Sequence, residues 1–335
     1  MKPKALLMGG SGALGVYLTQ ELLQKGYAVD VVCLEELLST QEDLRYIKAD
    51  GRNIDTVRSL LANRYDAVVD FMIYLSAEEY APFCRLYLDS TAHYVFLSSY
   101  RVYADEQHPI TEEAPRLLDV SRDEVLLHSG DYCIYKARQE DLLRASGYKN
   151  WTILRPAITY SKRRFQLTVL EAHVLVHRMR LGKTVVLPEP AMDVQATLSW
   201  AGDFGKAVAR LIHNPKAFCE TYTVSTAEHH TWREIAEIYR ELGGLKYVTV
   251  DTETFLSLWS AREPLDRQQL VYDRYFTRVI DNRKLLEHTG LRQEDFMPLR
   301  EGLKRELDAL PADYVWPKNP VNDRMDAYLA AHGEG

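Results

Sequence analysis

A chain of 335 residues with a formal charge of −7 can bury a large α/β core, and it has no general surplus of cations for holding nucleic acid. Hydrophobic residues make up 46% and charged residues 27%, a balance that excludes a disordered polymer. Cys33, Cys84, Cys133 and Cys219 form no CxxC pair, no stretch reaches membrane-spanning length, and only Met-Lys-Pro-Lys precedes the first apolar run, so a reducing, cytoplasmic setting is expected.

The first run, KALLM, has the length and apolarity of a buried parallel strand, and residues 16–25 read as a helix with Leu18, Leu22 and Leu23 inward. Between them lies GGSGALG: Gly9, Gly10, Ser11, Gly12, Ala13, Leu14 and Gly15. Strand, glycine turn and helix in that order suit a dinucleotide pyrophosphate. Gly9 permits the tight turn, Gly12 lets the backbone approach the phosphates, Gly15 allows close helix packing, and the helix N-terminus attracts negative charge. The second strand, residues 28–33, closes a β-α-β unit. Beyond its tip stand Glu35 and Glu36 with no Arg or Lys nearby in sequence, which favours NAD over NADP; a solvated helix start explains both glutamates equally well. In YIKADGRN, Asp50 is placed to accept from an adenine amino group, or is a plain loop aspartate.

Further on, DAVVDFMIY (66–74) and HYVFLSSYRVY (93–103) look like two more buried strands, the second ending in hydroxyls. In GDYCIYKARQEDLL a helix starting at Asp131 sets Tyr132, Lys136 and Glu140 on one face. A phenol is a poor base at neutral pH, but a neighbouring ammonium favours its ionised form, and Ser99 at a strand end can hold a substrate oxygen. An exposed amphipathic pair is the ordinary meaning of Tyr-x-x-x-Lys alone; the preceding glycine turn and serine-ended strand turn the expectation toward catalysis by Tyr132, Lys136 and Ser99.

With GGSGALG, DAVVDFMIY, VFLSSYRVY, YCIYK and LRPAITY, the chain resembles the extended short-chain dehydrogenase/reductases, the NAD-dependent epimerase/dehydratase group. Its nearest flavour is an atypical branch that includes chloroplast stem-loop-binding proteins, where DF-x-x-Y follows the fourth strand. LSWAGDFGKAVARLI, YTVSTAEHHTWREIAEIYRELGG and DNRKLLEHTGL extend the likeness over residues 4–305. The resemblance implies a Rossmann-type doubly wound parallel sheet with a smaller C-terminal substrate lobe. It implies a cofactor site of the glycine turn, Asp50, Met72, Tyr132 and Lys136, with Tyr132 as acid/base, Lys136 as its helper and Ser99 as the hydroxyl partner. Ser99 rather than Ser98 is matched, because it stands four before Tyr103. Departures are instructive. Cys33 replaces the Asp usual for NAD, and Tyr100 and Arg101 stand where sugar dehydratases place Asp and Glu, which argues against that elimination.

The expected organisation is a dinucleotide-binding unit over 1–165 to which 194–225 returns, a substrate lobe over 166–193 and 226–312, and a C-terminal arm over 313–335. In SKRRF, Lys162, Arg163 and Arg164 offer a solvated loop, an anionic clamp or an RNA contact. Substrate contacts are expected from Ser99, Tyr100, Arg163, Arg164 and Arg274; Arg274 and Arg278 otherwise suit a plain amphipathic helix. His173 and His177 lack a third ligand, so no metal is expected. The leading expectation is an NAD(P)-dependent oxidoreductase or epimerase acting on a sugar hydroxyl or ketone, its partner a small anionic molecule and a homodimer admissible. The alternative is an RNA-binding or regulatory protein on a dinucleotide-binding scaffold.

Overall fold

Near-continuous apolar runs make the centre of the molecule, because strands covered on both faces need no polar alternation. The computed structural model describes residues 2–333. Its first half runs β1 (Lys4–Met8), α1 (Gly15–Gln24), β2 (Ala28–Cys33), β3 (Leu44–Lys48), α2 (Ile54–Leu61), β4 (Tyr65–Asp70), α3 (Ala77–Ser90), β5 (Thr91–Leu97), α4 (Tyr132–Arg144) and β6 (Trp151–Pro156). The second half adds α5 (Ala172–Arg180), α6 (Ala201–Leu211), β7 (Glu220–Val224), α7 (Trp232–Gly243) and α8 (Pro320–His332), among shorter pieces.

Strands pair in the order β7-β6-β5-β4-β1-β2-β3, every neighbour parallel, as a doubly wound Rossmann-type sheet requires. The period of two sorts their side chains. Ala5, Leu7, Val31 and Val69 meet α1 and α6, while Leu6, Met8, Val68 and Phe96 meet α3. Each buried Val, Leu, Met or Phe among them contributes roughly 1.5–3 kcal/mol. Gly205 lets α6 press onto α1, since a Cβ there would lie 2.9 Å from the Tyr17 backbone. β7 reaches its place beside β6 from far along the chain, Tyr222 opposite Leu154.

Two expected strands end early, each at a buried polar side chain. Asp70 Oδ1 accepts from the Met72 amide at 3.0 Å and turns the chain out of β4. Ser99 Oγ accepts from the Arg101 amide at 3.2 Å and starts a single 3₁₀ turn after β5. A third core surrounds α5, α7 and α8. The C-terminal segment, expected as an appended arm, ends in α8, whose Val321, Met325 and Leu329 are buried there; Arg178 reaches the Asn322 carbonyl at 2.9 Å and Asp326 at 2.7 Å. Among the described residues no helix is long and apolar enough to cross a membrane.

Candidate active site

β1 has β2 and β4 as its two neighbours, so chain connections diverge at its carboxyl end and leave a crevice there. The glycine turn lies at that point. Gly9 has φ +70°, and a Cβ on Gly10 or Gly15 would strike Leu7 Cβ at 2.6 Å or the Gly10 carbonyl at 2.2 Å. These three glycines serve the turn itself. Gly12 is different: the nearest atom to a Cβ there is the Gly9 carbonyl oxygen at 3.9 Å, so its surroundings are open. α1 begins beside it with no side-chain cap and no acid in its first turn, which leaves amide donors and the positive end of the helix dipole for an anion. A pyrophosphate fits this arrangement.

Gly9, Gly12, Ala13, Leu14, Gly15 and Met72 line a cavity of about 600 Å³, whereas Gly10, Ser11 and Asp50 do not. Ser11 donates instead to Glu35 at 3.4 Å, tying the turn to the carboxylate beyond β2. Asp50 is exposed at the end of β3 and accepts from the Arg52 amide at 2.8 Å. One sequence expectation is corrected here: a cation does stand near the tip of β2. Strand pairing sets Lys48 opposite Cys33, and its ammonium lies 3.3 Å from Glu36, a proximity that the loop between β2 and β3 conceals in the sequence.

The far side of the cavity brings together Ser99, Tyr132 and Lys136, from the end of β5 and the first two turns of α4. Asp131 caps α4, accepting from the Cys133 amide at 2.8 Å, and so fixes the turn that carries Tyr132. Lys136 is buried; its Nζ donates to the Leu97 carbonyl at 2.8 Å and lies 5.9 Å from the Tyr132 ring centre. Burial lowers this ammonium to about 8, against the opposing pull of Asp70 and Glu140. Burial raises the Tyr132 phenol, and Arg101, Arg164 and the Ser99 hydroxyl work against that rise. Glu140, one turn beyond Lys136, accepts from Arg155 at 2.9 and 2.6 Å and from Ser98 Oγ at 2.6 Å. Ser98 lines the cavity as well, but its hydroxyl is committed to Glu140, which leaves the Ser99 hydroxyl to donate into the cavity.

At the substrate end Tyr100, Arg164 and Arg274 line the cavity and Arg163 does not. Ser161 and Arg164 exchange backbone hydrogen bonds of 3.0 and 2.9 Å, which makes Lys162 and Arg163 the tip of a tight turn. Arg163 therefore rests over the Tyr314 ring at 4.7 Å, outside the cavity. Arg274 and Arg278 sit on no amphipathic helix. Arg274 closes a π-helical turn and Arg278 follows it; both are buried, Arg274 donating to the Thr168 carbonyl at 2.7 Å and Arg278 to the Tyr103 carbonyl at 3.1 Å. Sequence reasoning missed Arg101 and Asp273 as lining residues. Arg101 was visible only as a departure from the dehydratase pattern, and Asp273 only as the neighbour of Arg274.

Residues 5–80 match the model of the NAD dependent epimerase/dehydratase family. A curated relative, the chloroplast stem-loop binding protein of 41 kDa b from Arabidopsis thaliana, is 25% identical over 256 residues, 72% of this chain. The matched stretch spans 63% of that relative's own length. Among solved structures, epimerase Mth375 from Methanothermobacter thermautotrophicus superposes with a TM-score of 0.69 at 15% identity, over 92% of this chain and 93% of its own. The UDP-glucose 4-epimerase of Thermus thermophilus, solved in complex with NAD, gives 0.64 at 20% identity, over 91% and 98%. The family match is thus confined to the first strands and the glycine turn, residues 5–80, while the chain as a whole shares the fold of these epimerases.

Proposed function

We propose that the protein is an NAD(P)-dependent epimerase or reductase that interconverts a carbinol and a ketone on a sugar carried by a nucleotide. The observation that carries this reading is the convergence of Ser99, Tyr132 and Lys136 with the open glycine turn on one cavity. Gly12 and the uncapped start of α1 hold the pyrophosphate, and Lys136 binds the ribose next to the nicotinamide. When bound, the nicotinamide supplies the acceptor and donor of hydride. Ser99 holds the reacting oxygen, and Tyr132 gives it a proton in the reducing direction or takes one in the oxidising direction. Because burial raises its pKa, the phenol rests protonated at neutral pH. A cytoplasmic setting suits the free cysteines.

The Thermus enzyme, solved with NAD and named for UDP-glucose, supports NAD and a nucleotide sugar as the first compounds to try. The RNA reading is the weaker one. The basic run divides, Arg163 over Tyr314 and Arg164 toward the cavity, and the chain carries a charge of −7. Turnover of nucleotide sugars by the Tyr132→Phe variant is the test. A loss of about 100-fold or more in kcat with NAD binding retained is expected; full turnover would remove Tyr132 from the chemistry.

A further inference from the structure

We propose that the cavity takes a substrate with an anionic group, a carboxylate or a phosphate, beside its reacting carbon, held by Arg101 and Arg164. This deepens the functional reading above and rests on Tyr132 marking the reacting carbon. The guanidinium carbon of Arg101 lies 5.6 Å from the Tyr132 ring centre. Its side chain is 12% exposed, with Nη2 3.3 Å from Asp131 and Nε 3.4 Å from Asp273. Both contacts are long, and Nε makes no aligned hydrogen bond. Asp273 is shared with Arg274 and Arg278, the latter also drawn by Asp105, so neither Asp131 nor Asp273 gives Arg101 a close counter-charge of its own.

Arg164 adds another guanidinium to the lining, and among the described residues its side chain has no ion-pair or hydrogen-bond partner. Arg101 and Arg164 are also the two charges that act most on the Tyr132 phenol. Other charges do not cancel this surplus. Lys136 and Asp70 act on each other, Arg262 pairs with Asp266 at 3.0 Å, and Glu171 is exposed at the rim. A half-buried cation without a full counter-charge is costly, and a planar guanidinium recognises carboxylate or phosphate oxygens in paired hydrogen bonds. Arg101 lies beside the Tyr132 ring and Arg164 lines the same cavity, so the anion they take sits on the part of the substrate near the carbon that Tyr132 serves.

Calorimetric titration of the NAD-loaded protein with D-glucuronate, D-glucose 6-phosphate and D-glucose tests the inference. At least one acid should bind about tenfold or more tightly than glucose, the gain expected of one charge-assisted contact. The tighter acid distinguishes carboxylate from phosphate. In both Arg101→Gln and Arg164→Ala that preference should shrink to about twofold or less. Arg164 stands at the base of a surface turn, so its variant keeps the test open if Arg101→Gln misfolds. Equal affinity for all three sugars, no binding of any, or an undiminished preference in a folded variant would overturn the inference. Tyr132→Phe should keep the anion preference while losing turnover, so a failure of the acid/base reading is seen separately.

Discussion

Asp70 shows at the level of one side chain how the site's electrostatics enter stability. Burial raises its carboxyl to about 6, against the Met72 amide, the Lys136 charge and the Tyr94 hydroxyl. A carboxyl raised on folding binds its proton more tightly in the folded state. Its contribution is therefore largest below the unfolded value of 3.8 and is lost as pH climbs through about 6. Urea unfolding of the protein and of Asp70→Asn should show their stability difference moving against the aspartate by about 2–3 kcal/mol between about pH 4 and about pH 7. A constant difference would mean that Asp70 is not held in this environment. The same scale shows what spacing alone reveals. Ser99 was separable from Ser98 by its distance from Tyr103, and the structure supplies the reason in Glu140, which takes Ser98. Arg163 and Arg164 were inseparable in sequence, because the turn that parts them is a backbone geometry.

The elements were legible where one local pattern dominates. β1, the glycine turn and α1 could be placed from KALLM and GGSGALG, and the tyrosine helix from its Asp131 start. Where a buried polar group interrupts an apolar run, as Asp70 and Ser99 do, strand ends were overextended. The four glycines of the turn make a sharper test of its role than any one of them. Gly15→Ala should unfold or displace the turn, since its Cβ meets the Gly10 carbonyl at 2.2 Å. Gly12→Ala should leave thermal stability nearly unchanged and weaken dinucleotide binding about tenfold or more, because the methyl occupies only the space of the ligand. Melting curves with and without NAD distinguish the two effects. A Gly12→Ala protein that binds NAD normally would deny the turn its phosphate role.

At the scale of the whole molecule, the site exists because distant segments meet. The turn after β1, the end of β5 and helix α4 supply Gly12, Ser99 and Lys136, while Arg274 arrives from the last quarter of the chain, 174 positions from Tyr100, whose hydroxyl it approaches at 3.5 Å. Such contacts carry no local signature. That is why the glycine turn and the tyrosine helix could be placed from motifs, while Asp273 emerged as a lining residue only in the fold. The tip of β2 teaches the same lesson: Lys48 reaches it by strand pairing alone. The measurement that bears most directly on the central claim is the release of nicotinamide cofactor on denaturing the purified protein, joined to a titration with NAD, NADH, NADP and NADPH. The geometry of the glycine turn and Lys136 predicts that NAD is released or bound at one equivalent per chain. A protein that neither releases nor binds any of the four would contradict it.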